Sequence, residues 1–165
     1  WSKNELDETS RKIAVAAIKY GMLNQDSNKN IVFSMDDWLV SEGDTGTYLV
    51  YAYVRIRSIA RKISKKVNPN VDFSLLTHPN EKKLLMQILD FNKTVFNAAE
   101  QFRPSLLARM LYEFSKDFSR AYKTCSVIHA ETEQLQSARL MLFHCVAETL
   151  QHGLNLLGIT PPERM

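Results

Sequence analysis

Residues 47–63, TYLVYAYVRIRSIARKI, decide the fold. Leu49, Ala52, Ile56, Ile59 and Ile63 recur at i, i+3, i+7, i+10 and i+14, the period of an α-helix and not the alternation of a strand. They form one wholly apolar face, suited to a core. Tyr48, Tyr51, Arg55, Ser58 and Lys62 repeat the same spacing on a second face, offset by about a third of a turn. The spacing predicts a long helix from about Thr45 to Val67, preceded by turn chemistry at Ser41 to Gly46 and broken by Asn68, Pro69 and Asn70.

Working outward, the same period continues in both directions. A first helix is expected from about Glu5 to Leu23, with Ile13, Ala16, Ala17 and Tyr20 on one stripe, ended by Gly21 and the polar run Asn24 to Asn30. Ser34, followed by Asp36 and Asp37, reads as the N-cap of a short helix carrying Trp38 and Leu39. Thr77 with Pro79 opens a fourth helix through Leu85, Ile88, Val95 and Ala99 to Phe102. Pro104 suits the first turn of a fifth, striped by Leu107, Leu111, Phe114, Phe118 and Tyr122. The last begins near Glu131 or Thr132 and runs through Leu135, Ala138, Leu142, Cys145, Val146 and Thr149, with Gly158 placed to cap it and Pro161 and Pro162 to stop it. The expectation is an all-α helical bundle.

Composition agrees. The chain has 165 residues, 45% hydrophobic and 24% charged, with only 5 Gly and 5 Pro. That is ordinary globular usage, enough to bury a core without staples. No stretch approaches the roughly 18 apolar residues needed to cross a bilayer, and no signal-peptide pattern opens the chain. Trp1 in place of Met reads as the start of a fragment or of a processed chain. Cys125 and Cys145 fall in apolar helical patterns without metal spacing, which fits buried thiols in a cytoplasmic protein.

The net charge of +3 names no partner, but its distribution is uneven. Four acids and no base lie between Asp36 and Asp44; Arg55, Arg57, Arg61, Lys62, Lys65 and Lys66 follow with no acid among them. Such a block suits either a face that attracts polyanions or a helix C-terminus complemented by cations.

Enzyme motifs are missing. His78, His129, His144 and His152 show no ligand pairing with acids or cysteines, and Gly43-Asp44-Thr45-Gly46 is too short for a phosphate loop and follows no strand. Glu131 and Glu133 do not share a helical face. Asn92-Lys93-Thr94 matches a glycosylation acceptor that a cytoplasmic chain does not use. Lys62-Ile63-Ser64-Lys65-Lys66 resembles the Lys-Met-Ser-Lys-Ser loop of class I aminoacyl-tRNA synthetases, but it closes a helix and no His-Ile-Gly-His element precedes it. It reads as a decoy.

The aromatic and cationic stripe Tyr48, Tyr51, Arg55, Ser58 and Lys62 carries more. Rings on which bases stack, beside cations that neutralise phosphate, suit single-stranded RNA. The same tyrosines would also serve as half-buried spacers between helices, and a helical protein-interaction module with a basic and aromatic face is the alternative function.

The run from Glu42 to Tyr53 followed by Arg55-Ile56-Arg57-Ser58-Ile59 closely resembles the helix that opens the anticodon-binding domain of arginyl-tRNA synthetases. Leu111-Tyr112-Glu113-Phe114, with Phe118 and Ala121-Tyr122, is similar to a second helix of that family. Gly153 to Ile159 with Pro162-Glu163-Arg164-Met165 resembles its C-terminus. The three matches come in family order and span about Ile13 to Met165. Two features depart from the pattern. The Asp-Ala-Leu-Arg tetrapeptide is absent, Leu107-Ala108-Arg109 being the nearest run, and the catalytic half is missing.

The resemblance implies a parent that ligates arginine to its tRNA using ATP with Mg in its catalytic domain. This chain would hold the anticodon stem and loop, with no cofactor and no catalytic residue of its own, and would be inactive alone. It implies a connecting region over residues 1–44 and the helical anticodon-binding domain over 45–165. The partners implied are the tRNA for arginine and the catalytic domain of the same chain, with no membrane. Tyr48, Tyr51 and Tyr122 match positions that meet the anticodon loop, and Met165 a terminal residue beside it. With Arg55 and Lys62 from the basic stripe, these are the expected tRNA-binding residues.

Overall fold

Ser2 opens the first helix through a capping box. Its hydroxyl accepts from the Glu5 amide at 3.3 Å, and its own amide donates to Glu5 Oε2 at 2.7 Å. The helix, α1, covers Lys3–Leu23 in a computed structural model that describes residues 1–63 and 67–165. Ala16, Ala17 and Tyr20 are buried as their spacing predicts. Gly21, expected to help end the helix, lies inside it. Its missing side chain makes room for the Trp38 indole, which a Cβ would strike. A short helix, α2, covers Met35–Trp38 under a Ser34 cap.

The central helix α3 covers Gly46–Ile63, one residue later than expected, because Thr45 is its cap: the Thr45 hydroxyl accepts from the Tyr48 amide at 3.2 Å. Ser64, Lys65 and Lys66 lie outside the described residues, and with them most of the Lys62–Lys66 run and the expected last turn. Leu49, Ala52, Ile56 and Ile59 are all buried, joined by Val50, Tyr53 and Val54. A Cβ at Gly46 would overlap the Ala16 carbonyl, so α1 and α3 cross backbone against backbone.

After a 3-10 turn at Phe73–Leu75 comes α4, Pro79–Glu100. His78, not Thr77, is its cap. The His78 Nδ1 accepts from the Asn80 amide at 3.1 Å, and Glu81 accepts from the His78 amide at 3.0 Å. The helix stops two residues short of the expected Phe102, whose φ of 53° is left-handed and cannot continue it. A three-residue link then folds α5, Pro104–Thr124, back along α4. The final helix α6 covers Glu133–Leu156, with Thr132 as cap and Gly158 at φ 70° closing it. Among the described residues there is no strand, and none of the helices there is long and apolar enough to cross a membrane. The all-α expectation holds.

The core sits between α3, α5 and α6. Leu107, Leu111, Phe114 and Phe118 of α5 are buried, and Phe118 meets Phe143 of α6 edge-on at 5.2 Å. Each such side chain contributes about 1.5–3 kcal/mol on burial. Tyr122, the last member of that stripe, leaves the core and is exposed. Two buried carboxylates fasten the outer helix α4. Glu81 pairs with Arg139 Nε at 2.6 Å, and Asp117 accepts from Lys83 at 2.9 Å and Arg120 at 2.7 Å.

Candidate functional site

Along α3, residues about 100° apart in azimuth separate its polar positions into two faces. On the first, Arg55 reaches across to α5. Its guanidinium lies 4.6 Å from the Tyr51 ring centre and 5.1 Å from that of Tyr122, and Nη2 donates to the Tyr51 hydroxyl at 2.5 Å. The cation therefore bridges two rings from different helices, an arrangement worth about 0.5–1 kcal/mol where exposed. Tyr51 and Tyr122 remain 39% and 40% exposed, so each ring keeps surface for another group.

Around this bridge opens a concavity of about 830 Å³. All six residues expected from the sequence line it: Tyr48, Tyr51, Arg55, Lys62, Tyr122 and Met165. Sequence reading missed Ser119 and Lys123 of α5, Ile128 from the connection to α6, and Glu42 before α3. A signal existed for the first two, because Ser119, Tyr122 and Lys123 stand at i, i+3 and i+4 and share a face. Ile128 and Glu42 come from segments without period. Among the described residues, the lining carries four cationic side chains (Arg55, Arg61, Lys62 and Lys123) and one acidic side chain, Glu42, so its field favours an anion.

Tyr48 is held differently from the other two rings. It is half-buried, its hydroxyl shares a hydrogen bond of 3.1 Å with Ser119 Oγ, and its ring meets Tyr112 edge-on at 5.8 Å. It joins α3 to α5 beneath the concavity, which is the spacer role its spacing also allowed.

The second face of α3 turns the other way. Arg57 lies about 200° around the helix from Arg55. Its Nε donates to Glu163 Oε2 at 3.1 Å, and it stands 4.0 Å from Glu148. Tyr53 donates to Glu163 Oε1 at 3.3 Å, and burial pushes its phenol above the ordinary value, so it stays a donor. Arg61, at the border of the two faces, lines the concavity and also donates from Nη1 to the Glu163 carbonyl at 2.8 Å. The basic block of the sequence is thus divided between two faces, which its run of charges alone did not reveal.

The histidines do not converge. His78 caps α4, while His144 and His152 both lie near Glu148 on α6. Among the described residues no group of three or more His, Cys, Asp or Glu is placed to hold a metal. Cys125 is buried and Cys145 partly so, both as free thiols raised above their ordinary pKa by burial.

The arginine–tRNA ligase of Bdellovibrio bacteriovorus is 38% identical over 165 residues, covering 100% of this chain and 28% of that protein. That of Streptomyces coelicolor is 37% identical over 164 residues, covering 99% and 28%. The solved arginyl-tRNA synthetase of Thermus thermophilus superposes with a TM-score of 0.88 at 34% identity, over 96% of this chain and 27% of that one. The chain thus spans a little over a quarter of the length of these relatives. Residues 49–165 match the family model described as the DALR anticodon binding domain, and although the tetrapeptide itself is absent, the chain belongs to that family.

Proposed function

We propose that this chain grips the anticodon stem and loop of the tRNA for arginine, as part of a longer cytoplasmic arginine–tRNA ligase. One observation carries the reading: two exposed tyrosine rings from different helices share one guanidinium inside a concavity whose described lining holds four cationic side chains and one acidic one. Rings accept splayed bases, and the cations neutralise the phosphates that join them. Tyr51 and Tyr122 are the stacking surfaces, Arg55 and Lys62 the phosphate partners, Met165 an apolar edge, and Tyr48 the brace beneath. Residues 1–44 serve as the connection to the catalytic domain of the same chain, where ATP with Mg would supply the activation chemistry.

Filter binding of the full-length protein to its tRNA tests the reading. Tight binding that falls steeply with salt, and falls further when the anticodon loop is replaced, is the expected result. Binding indifferent to the anticodon loop overturns it, as does preference for an acidic peptide, which would favour a protein-interaction module.

A further inference from the structure

Glu163, Arg164 and Met165 lie in no helix and are exposed, the setting in which backbone is ordinarily mobile. Here the segment is tied down. Tyr53, Arg57 and Arg61 stand at i, i+4 and i+8 of α3, one stripe, and all three donate to Glu163: two to its carboxylate and one to its main-chain oxygen. The next residue, Arg164, donates to Glu5 of α1 at 2.5 Å and lies 4.4 Å over the Trp1 ring. Pro161 and Pro162, both buried, remove backbone freedom immediately before the clamp. Two residues beyond Glu163, Met165 lines the concavity that Glu163 itself does not line.

We propose that Glu163 is a positioning residue for the anticodon-loop site, clamping the tail across α3 so that Met165 stands in the same concavity as the Tyr51 and Tyr122 rings. The inference rests on the anticodon reading of that concavity. Register is the physical point. Extended chain advances about 3.3–3.6 Å per residue, so a clamp displaced by one residue would carry the methionine about that far from its place. A carboxylate with two donors and a carbonyl with a third fixes both position and orientation, which a single ion pair would not. Glu163 therefore acts through Met165 and touches no RNA.

The test uses the full-length protein and aminoacylation kinetics. Glu163→Ala should raise KM for tRNA about tenfold, with kcat and the KM values for ATP and arginine unchanged, and with the protein still fully folded at the assay temperature even though the midpoint falls with the lost Tyr53 and Arg57 bonds. Glu163→Gln, which keeps the shape and one acceptor, should fall between. In a Met165→Ala background, Glu163→Ala should add no more than about a twofold loss, because the two act as one unit. Multiplying losses in the double variant overturn the inference, as does a loss in Glu163→Gln that only tracks unfolding. Normal tRNA kinetics in Glu163→Ala, where Tyr122→Ala is impaired, overturn it as well. Normal tRNA kinetics in Tyr122→Ala overturn the reading of the concavity instead, so the two failures are distinguishable.

Discussion

Arg55 and Arg57 are two residues apart on one helix and face opposite fates. Arg55 is held between two neutral rings, and its charge stays available to an anion that enters the concavity. Arg57 is matched to Glu163 and Glu148, and its charge is answered within the fold. Residue type and exposure are alike, so neither explains the division. What differs is the partner that the tertiary structure brings: the end of α5 on one face, the tail and α6 on the other. A basic helix read as a single stripe would treat both arginines alike, whereas the structure leaves one facing the concavity and sets the other to holding the tail.

The rings test the open face most severely. In the full-length protein, Tyr51→Ala or Tyr122→Ala should raise KM for tRNA roughly ten- to a hundredfold, the equivalent of about 1–3 kcal/mol of base stacking. The KM for ATP and for arginine should hardly move. Tyrosine-to-phenylalanine changes should be mild if stacking dominates. Loss of activity only in proportion to a lowered thermal midpoint would turn these rings into core supports and erase the contrast.

The arginine pair sharpens it. Arg55→Ala should weaken RNA binding across sequences and lower the logarithmic salt slope by about 0.7–0.9, one phosphate contact. Arg57→Ala should leave that slope in place and reduce protection of the tail, read as faster amide exchange at residues 163–165. Equal changes of slope in both variants would mean that the two faces are one. A smaller effect is expected beneath the site. Tyr48→Phe removes the bond to Ser119, costing about 1 kcal/mol in stability, with KM for tRNA unchanged.

The smallest effect is set by pH. Hydrogen bonds from Ser2, then Arg164, hold the Glu5 carboxyl below its ordinary value. A depressed carboxylate contributes stability that is fully present above the unfolded-state value and is lost as pH falls through the folded one. The Arg164 tether should therefore loosen only below the usual carboxylate range. Comparing Glu5→Gln with the parent, tail exchange should differ at neutral pH and converge in acid. A constant difference at every pH would sever Glu5 from the tail.

Much of the fold was legible in local chemistry. Ser34, Thr132, Pro104 and Gly158 mark helix ends because caps and stops act within one turn of backbone, and their side-chain requirements are written next to the bonds they make. The same logic failed at Gly21, whose cause is the Trp38 ring seventeen positions away, and at Thr77, where His78 fills the capping role by a ring nitrogen.

The sequence by itself determined the helical period, the apolar faces of α3 and α5, and the six side chains that meet in the concavity, because period and residue type are local and the resemblance supplied which helices belong together. Only the tertiary structure decided which cations face outward, that Tyr48 braces where Tyr51 is displayed, and that Glu163 ties the tail segment to α3. Each of those depends on a partner more than 70 positions distant, Ser119 for Tyr48 and Glu163 for Arg57, and no period along one helix encodes what another helix brings to it.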